Sequence, residues 1–217
     1  MQTIIPHLWF DTQAVEAAEY YVSLFAHSKI NTISKLYDTP SGEVDTVDFT
    51  LDGVRLNAIS AGPYFTLNPS ISLMVTCRSA DEVDRLYEGL KDGATVLMSL
   101  GEYPFSKRYV WLADRFGLNW QLCYFETDEI QQKIRPVFLF AGEACGKAED
   151  ALTFYSSVFA DAKTGYVSHY QPGEAMIECA KVNYAELTLG GFQLVAMDHG
   201  AGGTEAQDWT SMLYRMY

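Results

Sequence analysis

The chain has 217 residues, 48% of them hydrophobic, which suits one large domain or two small ones with a sizeable core. Its formal net charge of −13 argues against a nucleic-acid partner and against anionic lipid, because both need a basic surface. No apolar stretch approaches a membrane span, and the N-terminus lacks the pattern of a secretory signal. We therefore expect an acidic cytoplasmic protein that neither binds nucleic acid nor enters a membrane.

The first element in chain order is a short aromatic run at residues 5–10, which is typical of a strand. Helical spacing follows, with apolar residues at Ala14, Ala18, Tyr21 and Phe25. Three strand-like runs come next, at 34–37, 44–51 and 55–60, and Asp52-Gly53 between the last two is a strong hairpin signal. The pattern of this first module is βαβββ.

The middle of the chain shows the same order with different residues. A strand is predicted at 71–77, and Ser79 with Glu82 forms a capping box at the start of a helix. Gly93 follows the apolar stripe of that helix as a stop signal. The remaining strands of this second module are predicted at 95–100, 108–113 and 119–125.

An internal repeat defines a third module. The matching blocks are 5–10 (IPHLWF) with 135–140 (RPVFLF), 20–26 (YYVSLFA) with 154–160 (FYSSVFA), and 50–53 (TLDG) with 188–191 (TLGG). A repeat of this kind fixes the building unit before single strands are assigned. We predict a first domain at 1–125 made of two βαβββ modules, a linker at 126–133, and a third module at 134–217 that forms an incomplete second domain with a C-terminal tail.

Four cysteines are spread along the chain without a C-x-x-C pair. They are Cys77, Cys123, Cys145 and Cys179. This spacing predicts free thiols in a reducing compartment, mostly buried.

Three segments together resemble a known family. They are the PHLWF run at 6–10, the helix end Tyr21-x-x-x-Phe25, and the run DRFGLNWQ at 114–121. The sequence resembles the PhnB-like branch of the vicinal oxygen chelate superfamily, the glyoxalase/bleomycin-resistance/dioxygenase fold, a branch labelled demethylubiquinone methyltransferase-like. The resemblance is close over 1–125 and looser over 134–200. It implies an α+β fold in which tandem βαβββ modules form a curled mixed β-sheet cup that binds a small molecule, often over a divalent metal.

The resemblance also indicates where metal ligands would lie, on the first and last strands of each module. Gln121 falls where metalloenzyme members carry a glutamate, and His7 and Asn57 are the other polar candidates that could converge with it. Ser72 on the second module is a poor ligand. Because this set contains no acid, we expect no tightly held metal and no cofactor.

The candidate ligand-binding residues line the strands that the resemblance places in the cup. They are His7, Trp9, Asn57, Met74, Trp111 and Gln121. Side chains alternate along strands, so every second residue would point inward. Trp120 could also wall an apolar cavity. Ordinary core packing is the competing explanation for each of these large apolar residues.

Two functions from different classes stay open. The first is a small-molecule binding protein without metal, and the second is a metal-dependent lyase, isomerase or dioxygenase. No G-x-S-x-G nucleophile elbow is present, and no catalytic residue can be assigned. The glycine pairs also give no support to methyl transfer, because 190–191 falls in a predicted hairpin and 202–203 in the tail.

The odd number of modules predicts an assembly. Modules one and two can pair, which leaves the apolar strands of module three without a partner, and an exposed apolar sheet seeks one. The residues concerned are Val137, Phe138, Leu139, Phe140, Phe192, Leu194 and Val195. We predict a homodimer through module three, since a two-fold contact lets one surface cover itself. The alternative is that the tail at 204–217 covers this sheet within one chain.

Overall fold

The structure is a computed structural model that describes residues 2–127 and 129–200. Within these ranges the order βαβββ occurs three times, which confirms the predicted modules. Module one contains β1 His7–Phe10, α1 Ala14–Leu24, β2 Lys29–Thr39, β3 Gly42–Leu51 and β4 Val54–Ser60. Module two contains β5 Ile71–Cys77, α2 Ala80–Leu90, β6 Thr95–Tyr103, β7 Ser106–Ala113 and β8 Asn119–Tyr124. Module three contains β9 Ile134–Phe140, α3 Ala148–Val158, β10 Lys163–His169, β11 Val182–Leu189 and β12 Phe192–Asp198, with a short 3-10 turn at Gly142–Ala144.

The chain divides into two compact units. The larger unit contains Ile5–Leu67 and Leu73–Ile134, and we call the other the third-module unit. The third-module unit contains the described residues from Arg135 to Gly200 together with residues 2–4 and Asn68–Ser72. Within this unit, the amide of Leu139 donates to the carbonyl of Ser70 over 2.8 Å.

Module one of the larger unit is a four-stranded sheet in the order β1-β4-β3-β2, with β1 parallel to β4. Its strands alternate as the sequence predicts. Leu56 and Phe49 are fully buried on the side that contacts α1, whose Ala17 and Tyr21 are also fully buried. The opposite side of this sheet is partly exposed and carries the candidate site residues of module one.

Module two has the strand order β5-β8-β7-β6, covered by α2. The predicted capping box is present. The amide of Glu82 donates to the Ser79 hydroxyl over 3.2 Å, and the Glu82 carboxylate accepts from the Arg78 amide over 2.8 Å. The Ser79 hydroxyl thus satisfies one of the free N–H groups at this helix start, and the Glu82 side chain holds the amide of the residue before the cap.

Module three repeats the arrangement of module one inside its own unit. Strand β12 is parallel to β9, as β4 is to β1, and the order is β10-β11-β12-β9. Gly190 and Gly191 form the predicted hairpin between β11 and β12, with φ values of +56° and +78°. Both angles lie in the left-handed region that favours glycine.

One sequence prediction about strand bounds needed correction. Strand β2 covers Lys29–Thr39, well beyond the expected 34–37, because it is an edge strand whose mostly exposed side chains give no hydrophobic alternation. The linker at 126–133 contains no helix in its described residues. Its last residue, Lys133, lies 2.8 Å from the Asp52 carboxylate and 2.6 Å from that of Glu82.

The cysteine prediction was correct for one pair and wrong for the other. Cys77 and Cys123 are buried free thiols, and burial raises the pKa of Cys77. Cys145 and Cys179 instead form a disulfide, with their Cα atoms 5.7 Å apart. The two residues are 34 positions apart in sequence, so only the fold of module three reveals the pairing.

The expectation of an exposed apolar sheet in module three was wrong for most of its residues. The structure buries Val137, Leu139, Phe192, Leu194 and Val195. Phe138 and Phe140 are half-buried, and the Phe138 ring lies 6.1 Å from that of Tyr155 on α3. One reason is that α3 contacts β11 and β12 and covers that side of the sheet. The competing tail at 204–217 lies outside the described residues.

Of the helices in the described ranges, none has the length and apolar character needed to cross a membrane.

Candidate functional site

The side of the module-one sheet that faces away from α1 contains three of the predicted site residues, and we call it the open face. His7 on β1 is paired with Asn57 on β4, and Trp9 is paired with Ile59 two residues further along. Asn57 is also paired with Asp48 on β3. Because paired residues share a face of the sheet, these five side chains form one surface. His7 is exposed, and the other four are half-buried.

One end of the open face is polar and contains an ion pair between Arg55 and Asp48. Nε of Arg55 donates to both oxygens of the Asp48 carboxylate, at 3.0 and 2.9 Å, and Asn31 donates to Oδ1 over 2.7 Å. The hydrogen bond from Arg55 is the main reason why the pKa of Asp48 is lowered. Although the residue as a whole is exposed, its ring is partly desolvated, which lowers the pKa of His7 and favours the neutral imidazole. This end can therefore exchange hydrogen bonds with a polar ligand group.

The other end of the open face is aromatic. The Trp9 indole donates from Nε1 to the Gly62 carbonyl over 2.8 Å, which fixes the ring plane. The Phe65 ring stands edge-on to Trp9, with centroids 4.8 Å apart, and is 42% exposed. Tyr64 beside it is 62% exposed. A fixed indole with exposed aromatic neighbours suits contact with an apolar or aromatic ligand group.

The remaining candidates lie on the module-two sheet and are buried. Trp111 on β7 is paired with Gln121 on β8. The Tyr109 hydroxyl donates to Oε1 of Gln121 over 2.7 Å, and the Trp111 indole donates to Asn119 over 3.3 Å. Burial raises the pKa of Tyr109 well above its usual value, so its hydroxyl keeps the proton. The Gln121 amide is therefore held by a hydrogen bond within its own sheet.

The structure brings the site candidates together in pairs. His7 lies beside Asn57 in one sheet, and Trp111 lies beside Gln121 in the other. Met74 is 3% exposed on β5, which neighbours β8. That all six residues line one cavity stays a prediction.

Sequence reasoning did not find the role of Asp114, which begins the DRFGLNWQ run. Its Oδ2 accepts from the Tyr21 hydroxyl over 2.7 Å and from the Trp120 indole over 2.8 Å. Its Oδ1 accepts from the amides of Phe116 and Leu118 over 2.8 and 3.1 Å. Asp114 therefore joins the β7–β8 turn to α1. Burial raises its pKa, and the hydrogen bonds act in the opposite direction.

Trp120 belongs to this same structural cluster. It is fully buried, and its ring stacks on Phe25 at 5.4 Å and meets Tyr21 edge-on at 5.2 Å. It is therefore a core residue of the larger unit, as the packing explanation predicted. A buried acid followed by Phe, Gly and Trp was the sequence signal for this cluster, but its donor Tyr21 is 93 residues away.

Within the described ranges, no group of three or more His, Cys, Asp or Glu side chains could hold a metal ion. Gly190 and Gly191 lie in a β-hairpin. They do not form the strand-to-helix turn that accepts a nucleotide-like cofactor on a doubly wound sheet.

The fold is similar to that of solved structures, glyoxalase I among them. Glyoxalase I from Zea mays is 10% identical with a TM-score of 0.60, over 92% of this chain and 68% of that one. Protein PA1353 from Pseudomonas aeruginosa is 23% identical with a TM-score of 0.50, over 57% of this chain and 98% of that one. The fold is thus the α+β cup of tandem βαβββ modules.

The family follows from the sequence matches. The model described as 3-demethylubiquinone-9 3-methyltransferase matches residues 2–123 and 132–214, and the chain belongs to this family. A PhnB protein from Bacillus cereus, described under the same methyltransferase name, is 36% identical with a TM-score of 0.53, over 57% of this chain and all of that one. A search of curated proteins finds no match.

Proposed function

We propose that the protein binds a small molecule in the cup of modules one and two without a tightly held metal. The observation that supports this best is the state of Gln121. The family resemblance puts a ligating glutamate at this position, but the chain has a neutral amide whose oxygen accepts from Tyr109 over 2.7 Å. A neutral amide is a much weaker ligand for a divalent cation than a carboxylate.

The open face suggests the chemistry of the ligand. Trp9 and Phe65 offer an aromatic surface at one end, and His7 with Asn57 offers neutral hydrogen-bonding groups beside the Asp48–Arg55 ion pair. A ligand that fits both ends combines an apolar or aromatic part with a polar group. Small-molecule sites commonly have this division, in which apolar contacts supply affinity and polar groups fix orientation.

Metal analysis tests the first part of the proposal. We expect protein purified without chelator, and then dialysed extensively, to hold well under one equivalent of Ni, Zn, Fe or Mn. A stoichiometric metal that is lost in His7→Ala or Gln121→Ala would overturn the metal-free function. It would favour the alternative of a metal-dependent lyase, isomerase or dioxygenase.

A ligand screen followed by thermal shift tests the second part. Compounds with an aromatic ring and a polar group are expected to stabilise the wild-type protein and the control variant Tyr37→Ala. Tyr37 is 64% exposed on the edge strand β2 and belongs to none of the site pairs. Trp9→Ala should weaken binding at least tenfold, since burial of a large apolar side chain is worth about 1.5–3 kcal/mol. Equal binding by Trp9→Ala and the wild type would exclude the open face as the site.

We also propose a homodimer, now supported by α3 in place of the sheet. The repeat makes Phe154, Tyr155 and Val158 the equivalents of Tyr20, Tyr21 and Leu24 on α1. Module two covers the α1 residues. Tyr20 hydrogen-bonds to the Gly89 carbonyl, and a Cβ on Gly89 would lie 2.6 Å from the Leu24 side chain.

The equivalent surface of α3 is open to solvent. Phe154 is 61% exposed and Val158 is 58% exposed, one helical turn apart. A two-fold contact through this surface would let the same apolar side chains of each copy cover those of the other.

Light scattering across a dilution series measures this directly. The wild type is expected to be a dimer at micromolar concentration, and the double variant Phe154→Glu, Val158→Glu a soluble monomer. Met176→Glu is the control, because Met176 is 80% exposed in the same unit and lies outside α3. A monomeric wild type, or a dimer that survives the double substitution, would rule out this surface.

A cytoplasmic location is the last part of the proposal. It is supported by the acidic charge of the chain.

A further inference from the structure

The disulfide of module three joins two segments whose backbones already touch. Cys145 follows the 3-10 turn Gly142–Ala144, and Cys179 lies in the segment between β10 and β11. Gly146, next to Cys145, has a φ of +81°, and a Cβ there would lie 2.6 Å from the Cys179 carbonyl oxygen. The two cysteines therefore meet because the chain is packed backbone to backbone at this point.

This disulfide can be reached from solvent. Cys179 is exposed and Cys145 is half-buried, whereas Cys77 and Cys123 are buried. Exchange with a dissolved thiol requires access to one of the two sulfur atoms. Exposed disulfides are the ones that exchange readily, and buried thiols are inert.

A buried carboxylate holds the same two segments independently of the disulfide. Asp198, at the end of β12, is 1% exposed. Its Oδ1 accepts from the amides of Gly146 and Ala148 over 2.9 and 3.2 Å. Its Oδ2 accepts from the amides of Lys181 and Val182 over 3.0 and 2.9 Å. Breaking the S–S bond therefore leaves four hydrogen bonds that keep the start of α3 beside the start of β11.

The segment 170–181, which contains Cys179, depends more strongly on the disulfide. It has no helix or strand, and most of its residues are exposed. Its backbone bonds include Tyr170 N to Lys181 O over 2.9 Å at its base and Met176 N to Gly200 O over 2.7 Å near its tip. A segment with exposed backbone hydrogen bonds and little buried surface opens at low free-energy cost.

We propose that Cys145 and Cys179 form a redox switch that orders or releases segment 170–181 while the rest of module three stays folded. The reactant is a low-molecular-weight thiol. Its thiolate attacks Sγ of Cys179, the S–S bond breaks, and Cys145 leaves as a thiolate that takes up a proton. A second thiol attacks the mixed disulfide, releasing the Cys179 thiol and one low-molecular-weight disulfide. Two electrons pass from the two thiols to the protein, and the reverse sequence closes the switch.

The redox state is measured by alkylation and peptide mass spectrometry of the full chain in glutathione buffers of graded ratio. We expect Cys145 and Cys179 to change together from alkylated in reduced glutathione to protected in glutathione disulfide, reversibly and without loss of the folded protein. Cys77 and Cys123 should stay unmodified throughout. A pair that stays oxidised in the most reducing buffer, or stays reduced in the most oxidising one, overturns the proposal.

Hydrogen exchange measures the structural consequence. Amides of segment 170–181 are expected to exchange roughly tenfold faster or more after reduction, since loss of a cross-link of this loop length removes a constraint on local opening. Amides of β11 and β12 should keep their protection because of Asp198. Reoxidation of the same sample should restore the slow exchange, so the result does not depend on a variant.

The double variant Cys145→Ser, Cys179→Ser is the matched control. It should exchange like the reduced wild type in every buffer. Equal exchange of the segment in the oxidised and reduced wild-type protein overturns the switch. Loss of protection throughout β11 and β12 on reduction also overturns it, since the disulfide would then hold the whole module.

Discussion

Asp114 shows how a single buried acid can connect parts of the chain that are far apart in sequence. Its carboxylate accepts two side-chain and two backbone hydrogen bonds, from Tyr21, Trp120, Phe116 and Leu118. The run DRFGLNWQ that begins at this residue carries the most specific part of the family resemblance. The role of Asp114 was not predictable, because spacing shows which face a residue occupies and not which distant donor reaches it.

Removing this carboxylate should destabilise the larger unit strongly. Asp114→Ala leaves the Tyr21 hydroxyl, the Trp120 indole and two amides without their acceptor, and we expect a loss of about 3 kcal/mol in the free energy of unfolding. Urea denaturation followed by Trp fluorescence measures it. Asp92→Ala, at an exposed position after α2, is the control and should change stability by less than about 0.5 kcal/mol. Similar losses in the two variants would contradict the role of Asp114.

The raised pKa of Asp114 gives a second prediction. A carboxyl group with a higher pKa in the folded state binds its proton more tightly there, so stability falls as pH rises from the ordinary value of 3.8 through the raised one. Stability relative to Asp114→Asn should therefore decrease over that interval and become constant above it. Urea titrations of both proteins at several pH values give this difference, and a rise with pH would contradict the assignment.

At the scale of elements, modules one and three cap the first turn of their helix in the same way. The Ala14 amide of α1 donates to the Ser60 hydroxyl at the end of β4 over 2.9 Å. The Ala148 amide of α3 donates to the Asp198 carboxylate at the end of β12 over 3.2 Å. The repeated blocks predicted these strands and helices correctly. The capping contacts could not be predicted, since Ser60 and Asp198 are different residue types outside the matching blocks.

Replacing the cap in module one should have a moderate effect. Ser60→Ala removes the acceptor for the first amide of α1, and we expect a loss of about 1 kcal/mol in stability. Ser60→Thr keeps a hydroxyl and should lose less, which makes it the conservative comparison. Urea midpoints of the three proteins decide this, and an unchanged midpoint in Ser60→Ala would show that water replaces the contact fully.

At the scale of the whole molecule, the module count was predictable and the division into units was not. The repeat and the hairpin signals identified three βαβββ modules and placed a boundary near residue 134. The structure assigns Asn68–Ser72, at the start of module two, to the third-module unit, where the Ser70 carbonyl accepts from Leu139. This contact could not be predicted from local sequence patterns. Such patterns show where a strand lies, but not which distant segment it pairs with.

This division predicts the outcome of a truncation. A chain that ends at residue 134 removes the partner of Ser70 and leaves the beginning of β5 uncovered, so we expect lower solubility and a lower melting temperature than for the full chain. Size-exclusion chromatography and calorimetry measure both. A truncated chain as soluble and as stable as the full chain would contradict this expectation and would favour the predicted first domain at 1–125.

Lys133 has a consequence for the order of events during protein synthesis. Its ammonium group joins Asp52, in the β3–β4 turn, to Glu82, at the start of α2. It is the last of the three to be made, so the link through Lys133 can form only after the Tyr21–Asp114 contact between the same two modules has become available. Ribosome-bound chains that stop short of Lys133 should therefore hold two modules that meet through Asp114 but lack this ion-pair link.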